Sequence, residues 1–143
     1  MEAIDTAALL TLESDDLVPA ALENRITAAN AADVRARIVV EGASGPTTAA
    51  ADRALEERGV VVVPGILANG GGVTVSGFEW VQDRMGCFSR ESEMHERLED
   101  DMVRAFDDVA SMAAPHGVSR RIAAHVVAIQ RVARDLETRG LYA

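Results

Sequence analysis

Apolar residues follow two different rhythms along this chain. In the first 86 residues they come as short unbroken runs, Leu17-Val18, Ile38-Val39-Val40 and Val60-Val61-Val62-Val63, each soon followed by proline or glycine. Runs of this length without alternation predict strands covered on both faces, as in a parallel sheet. The first, brief and buried, should end at Pro19, where a missing amide hydrogen is tolerated. Asn24 and Thr27 are candidate caps for a helix over 28–34, and a second strand over 37–41 stops at Gly42. The turn Gly42-Ala-Ser-Gly-Pro46 then leads to a helix capped by Thr47 or Thr48, which runs to about Arg58 and ends at Gly59. The valine strand follows, then Pro64, a tight loop at Gly70-Gly71-Gly72, and a helix up to Gly86.

Beyond Gly86 the rhythm changes to that of long amphipathic helices. Met94, Leu98, Met102, Phe106, Val109 and Ala113 recur at three- and four-residue intervals, with Ser89 as cap and Pro115-His116-Gly117 as breaker. Ser119 caps a second helix, with Ile122, Val126, Ile129, Ala133 and Leu136 on one face. The two read as an antiparallel hairpin, and the acidic and basic runs beside the stripes read as solvated faces. The fold class is therefore α/β: half of a doubly wound, Rossmann-like sheet of about three parallel strands with flanking helices, followed by a C-terminal helical tail. Residues 1–86 form the sheet segment and 87–143 the helical segment.

Composition bears on partners more than on fold. At 143 residues, 48% apolar and 26% charged, the chain has the make-up of one soluble domain with a single core, and its apolar runs are too short to span a bilayer. A net charge of −9 argues against nucleic acid and anionic membrane as partners. The acidic first residues do not resemble a secretory leader, and the lone Cys87 allows no internal disulfide, so a cytoplasmic location is expected. His95, His116 and His125 share no ligand spacing, and no metal site is assigned. All 14 basic residues are arginine. Without lysine the chain has no amine to serve as general base, carboxylate anchor or Schiff-base nucleophile.

The stretch from Val60 to Trp80 carries the strongest chemical signal. In open α/β sheets ligands bind outside the carboxyl ends of strands, so Asn69, ahead of three glycines, stands where a ligand edge could be read; by spacing alone, the plainer reading is that the glycines merely turn the chain, since a lone glycine cluster is a weak signal. Ile66-Leu-Ala-Asn-Gly-Gly-Gly-Val-Thr-Val-Ser-Gly-Phe-Glu-Trp80 resembles the signature of the glutamate, leucine, phenylalanine and valine dehydrogenases, most of all the glutamate dehydrogenases. Pro19-Ala-Ala-Leu-Glu-Asn-Arg-Ile-Thr27 and Val40-Glu-Gly-Ala-Ser-Gly-Pro-Thr-Thr48 agree in order and spacing, and the resemblance extends from about Leu9 to Tyr142.

The resemblance implies NAD or NADP as cofactor and an amino acid with its 2-oxo acid as substrate pair. It sets the nicotinamide-side ribose against Ala20 and Ala21 and the nicotinamide carboxamide at Asn69, and it brings Ser44 into reach of the nicotinamide. It gives Ser76 the substrate's side-chain carboxylate, with Val73 walling the pocket. Read without it, the alanines are close packing at a strand end and Ser76 is a small residue on a helix face. Three positions depart from the family: Ser44 stands for asparagine, Gly65 for aspartate and Gly77 for tyrosine. The family's catalytic lysine and aspartate belong to a separate N-terminal domain, and no G-x-G-x-x-G pyrophosphate loop occurs here. The expected function is thus the C-terminal, NAD(P)-binding-domain portion of a glutamate dehydrogenase-like oxidoreductase, truncated, with no catalytic residue of its own and weak or absent cofactor binding. A non-catalytic interaction module, or one half of a split enzyme, is the alternative. An open edge at Leu17 and Val18, and helices short of cover, lead to an expectation of self-association or of a separate N-terminal half as partner.

Overall fold

The computed structural model describes residues 5–140; the first four residues and Tyr142, at the far end of the resemblance, lie outside them. The chain divides into two compact units, Met1–Asn69 and Gly70–Ala143. This division falls ahead of Gly86, where the apolar rhythm changes.

The first unit contains α1 (Thr6–Leu9), β1 (Asp16–Leu17), a 3-10 turn (Ala31–Asp33), β2 (Ile38–Val40), α2 (Ala49–Glu57), β3 (Val61–Val63) and α3 (Gly65–Ala68). Its three strands lie in the order β1-β2-β3, all parallel, with Leu17 opposite Val39 and Val39 opposite Val62. This is the expected partial Rossmann-like α/β sheet, with α2 as the crossover between β2 and β3. Thr48 caps α2 by accepting the Ala51 N–H at 3.4 Å. Ala51 and Leu55, one turn apart, are fully buried with Ile26, Ala31, Val34 and Val39. Gly59, at φ +76°, lets the chain leave the helix for β3.

Three local expectations for this unit need correction. First, no α-helix covers 28–34. Asn24 takes a left-handed φ of +52° instead of capping, and the Asn30 side chain organises a turn by accepting the Thr27 N–H at 2.7 Å and donating to the Arg25 carbonyl at 2.9 Å. Ile26 meanwhile forms a parallel bridge with Thr47, and Arg58 donates to the carbonyls of Ala31 and Val34. These long-range bonds satisfy backbone groups that a helix would otherwise satisfy locally. Second, β1 stops at Leu17, and Val18 is 57% exposed because β1 has β2 on one side and no strand on the other among the described residues. Third, of the three valines in β3 only Val62 is buried, so the strand is covered less completely than its composition implies.

The second unit is helical: α4 (Gly70–Met85), α5 (Glu91–His116) and α6 (Arg120–Arg139). The glycine triplet is not a loop but the first turn of α4, and none of the three has positive φ. A Cβ on Gly70 or Gly71 would meet Met102 or Leu98 of α5 at 3.7–3.9 Å, an ordinary contact distance, so the helix pair has room for a methyl group at either position. The α5 stripe matches its pattern at Val109, which is buried, and at Met94, Leu98 and Met102, which are half-buried. Its cap lies at Arg90, one residue beyond Ser89: the Glu93 carboxylate accepts the Arg90 N–H, while the Ser89 N–H donates to the Gln82 side chain. Gly117, at φ +59°, ends α5, and the Ser119 hydroxyl accepts the Ile122 N–H to start α6. Arg131 pairs with Asp108 across the two helices, as an antiparallel hairpin requires.

The buried face of α6 differs from the expected one. Ala123 and Ala124 are buried, whereas Ile122, Ile129 and Leu136 are 53%, 67% and 48% exposed. α6 packs with α5, and the side chains it buries most completely are small ones rather than its largest.

Gly77 stands in the interior of α4, and a Cβ built there meets nothing within 4 Å. Gly77→Ala is therefore expected to stabilise the helix by roughly 0.5–1 kcal/mol, through a smaller loss of backbone freedom. A thermal melt followed by circular dichroism tests this; a lower midpoint for the variant would contradict it.

Candidate functional site

Past the carboxyl ends of the three strands the chain turns sharply at each, and the turns touch. The Ala43 N–H donates to the Pro19 carbonyl at 2.9 Å, tying the exit of β2 to that of β1. Gly42 faces Ala20 so closely that a Cβ on it would lie 2.9 Å from the alanine Cβ, a separation that forces movement. On the other side the Glu41 N–H donates to the Val63 carbonyl at 3.1 Å, tying the exit of β2 to that of β3.

Asn69 completes this group. It closes α3, with its backbone N–H donated to the Gly65 carbonyl at 2.9 Å, and its side-chain Nδ2 donates to the Glu41 carbonyl at 3.3 Å. Because a carbonyl accepts only from the NH2 end of an amide, this contact fixes which way the side chain is turned. One N–H and the Oδ1 of Asn69 have no other partner among the described residues, and the residue is exposed. Ser44 is exposed in the turn after β2, with no hydrogen-bond partner for its hydroxyl among the described residues, and Ala20 and Ala21 are exposed beyond β1. The first unit thus brings Ala20 next to Gly42 and Asn69 next to Glu41, and it sets Ser44 in the intervening turn. Val73 and Ser76 belong to the second unit, three residues apart on one side of α4, and both are exposed.

Pattern and spacing did not single out Glu41. It is 1% exposed, and its Oε2 accepts the Gly65 N–H at 2.8 Å. The available signal was an acid in continuous register with an apolar strand, where a charge is retained only if it is hydrogen-bonded. A cavity of about 650 Å³ lies at the opposite, amino ends of the strands, beside Asp15, Arg37 and Arg58, and contains none of the site residues above. No group of three or more histidine, cysteine, aspartate or glutamate side chains is arranged to hold a metal among the described residues. No helix among them is long and apolar enough to cross a membrane.

Comparison with known proteins is unambiguous at the level of family. The family model for Glutamate/Leucine/Phenylalanine/Valine dehydrogenase matches residues 1–140. The chain is 50% identical over 141 residues to a glutamate dehydrogenase of Thermotoga maritima, covering 99% of this chain and 34% of that one. It is 53% identical over 134 residues to glutamate dehydrogenase B of Halobacterium salinarum, covering 94% and 31%. Among solved structures, the hetero-hexameric glutamate dehydrogenase of Thermus thermophilus superposes with a TM-score of 0.89 at 34% identity, over 96% of this chain and 33% of that one. The enzyme of Peptoniphilus asaccharolyticus gives a TM-score of 0.81 at 43% identity, over 87% and 32%. The chain spans about a third of the length of the curated relatives it matches.

Proposed function

From the premise that this chain belongs to the glutamate/leucine/phenylalanine/valine dehydrogenase family, we infer that it supplies the nicotinamide half of an NAD(P) site. It is a portion of a glutamate dehydrogenase-like oxidoreductase. The reaction of the complete enzyme is oxidative deamination of an L-amino acid, glutamate in this reading, to its 2-oxo acid. The observation that carries the inference is the open amide of Asn69 at the carboxyl ends of parallel strands, the end at which α/β sheets bind ligands.

The residues fit a nicotinamide nucleotide chemically. A primary amide with one N–H and its oxygen free is complementary to the carboxamide of nicotinamide, which offers the same pair of groups. Ala20 and Ala21 present methyl groups only, so a ribose can approach the backbone there. Ser44 adds one hydroxyl, a shorter reach than the asparagine usual in the family. When bound, the nicotinamide supplies the hydride acceptor or donor. The role of this chain is to orient that ring, and on α4 to offer the Ser76 hydroxyl to a substrate side-chain carboxylate with Val73 as an apolar neighbour.

Binding by this half-site alone is expected to be weak, with a dissociation constant for NAD in the millimolar range, roughly −4 kcal/mol. No G-x-G-x-x-G turn is present to bring a helix N-terminus to the pyrophosphate. Titration calorimetry or ligand-observed NMR with the wild-type chain and Asn69→Ala tests the assignment. Binding that is indifferent to Asn69→Ala would remove the residue from the site.

Self-association belongs to the same reading. Ile129, 67% exposed, Ile122 and Leu136 line one side of α6, and β1 leaves one edge unpaired among the described residues. Such surfaces favour partners. Sedimentation velocity is expected to show mass increasing with concentration in the micromolar range. A sharp monomer at every concentration, binding no apolar dye, would count against it.

A further inference from the structure

We propose that Glu41 is a positioning residue for Asn69, setting the outward face of its amide; the use of that amide for nicotinamide rests on the reading above. Glu41 bonds to three points of the turn that leads from β3 to α4. Its N–H donates to the Val63 carbonyl at 3.1 Å, its Oε2 accepts the Gly65 N–H at 2.8 Å, and its carbonyl accepts Asn69 Nδ2 at 3.3 Å. The turn is thereby gripped before Pro64, just after it, and at its end.

The carboxylate is what holds the grip closed. The Gly65 N–H is at the start of α3 and has no intrahelical acceptor. A buried carboxylate, in turn, needs donors to offset its lost hydration. Each group meets the other's requirement, and Gly65 is drawn against β2. Gly65 then presents a bare Cα to the Asn69 amide: a Cβ there would lie 3.2 Å from Nδ2 and 3.3 Å from the Ala43 carbonyl. The amide is confined between that Cα and the Glu41 carbonyl. Since the carbonyl takes the NH2 end, Oδ1 is the end that stays unpartnered. A change in the Glu41 side chain should therefore be felt at Asn69, although the bond to Asn69 is made by the Glu41 backbone.

The test uses the full chain, labelled with nitrogen-15. The Asn69 side-chain NH2 pair is assigned as the one lost in Asn69→Ala, and backbone amides of β2, β3 and α2 report whether each variant is folded. Glu41→Leu removes the acceptor, whereas Glu41→Gln keeps a neutral acceptor of the same reach. With no nucleotide present, Glu41→Leu is expected to move the Asn69 NH2 pair toward the position of a freely exposed asparagine, and Glu41→Gln to restore most of the shift. Gly65→Ala, which leaves Glu41 in place but crowds Nδ2, is expected to displace the same pair and calibrates its response; should Glu41→Leu not fold, Glu41→Asp, whose carboxylate is one methylene too short to reach the Gly65 N–H, replaces it and is expected to move the pair in the same direction.

Nicotinamide mononucleotide is the probe for the second arm. Loss of a neutral hydrogen bond typically weakens binding about three- to tenfold. Glu41→Leu and Asn69→Ala should each fall in that range, and the double variant should be no weaker than Asn69→Ala, because both act on one interaction. An Asn69 pair that stays put in folded Glu41→Leu, or losses that add in the double variant, would overturn the proposal. An NH2 pair that follows Glu41 but ignores the nucleotide would refute the nicotinamide reading and leave the positioning role standing.

Discussion

Purified alone, this chain is expected to show no glutamate-dependent reduction of NAD or NADP. Deamination needs a group that takes the proton from the amino acid as the hydride leaves, and the family resemblance assigns that work to a lysine and an aspartate of another domain. There is no lysine among the 143 residues. The one buried acid among the described residues, Glu41, is bound to the Gly65 N–H and faces the turn it holds, so it is committed to structure. Loss of general acid-base chemistry alone lowers rates by about 10²–10⁴-fold. Loss of the groups that hold substrate and pyrophosphate also removes the advantage of orientation, which is worth several further kcal/mol, on the order of 7–11 in the best cases. These losses multiply. The assay is the absorbance of reduced nucleotide with saturating glutamate, and a turnover in the ordinary enzyme range of about 1–10³ per second would sink the expectation.

The sheet was legible in the sequence because its signals are local and mutually consistent. The valine run, Gly59 with its left-handed φ, and Thr48 at the head of α2 each specify one feature, and all agree with β2-α2-β3. What was not legible came from contacts distant in sequence. The residues 28–34 have alanine-rich composition that suits a helix, but Arg58, 24 or more positions away, takes the carbonyls of Ala31 and Val34. The glycine triplet at 70–72 reads as a loop because glycine permits one; in the fold it is the first turn of α4, where a Cβ on Gly70 or Gly71 would meet Met102 or Leu98 only at ordinary contact distance, and nothing in the structure explains why all three are glycine. On α6 the largest apolar residues drew attention, while the residues it buries are Ala123 and Ala124. The site divides in the same way. Asn69 was marked by its place at a strand's carboxyl end, and its role with those of Ser44, Ala20, Ala21, Val73 and Ser76 came from resemblance to a family, whereas the hydrogen bonds of Glu41 to Gly65 and Asn69 emerge only in the folded chain. A lone acid directly after Ile38-Val39-Val40 carries no mark of the partner it will find.

Leu55→Ala is expected to destabilise the sheet unit by about 2–5 kcal/mol. Leu55 is fully buried on the inner side of α2, in one cluster with Ile26, Ala31, Val34, Val39, Ala51 and Val62. Its truncation removes apolar contacts from the point where α2 meets both the 3-10 turn and β3. The cluster is made largely of alanine and valine, short side chains with little reach, so the resulting cavity should collapse only in part and the cost should fall in the upper half of the range. A small domain has roughly 5–15 kcal/mol of total stability, which makes this loss a large share of it. Hydrogen exchange locates the effect. Protection should drop in β2, β3 and α2, the elements that surround Leu55, while the amides at the centres of α5 and α6 keep theirs. Val103→Ala is the matched control, since Val103 is 52% exposed and its truncation should cost no more than about 0.5 kcal/mol. If Leu55→Ala proved as mild as Val103→Ala, the hydrophobic cluster beneath α2 would not be what holds the three strands, and the turn at Glu41 and Asn69 would have to be supported from elsewhere.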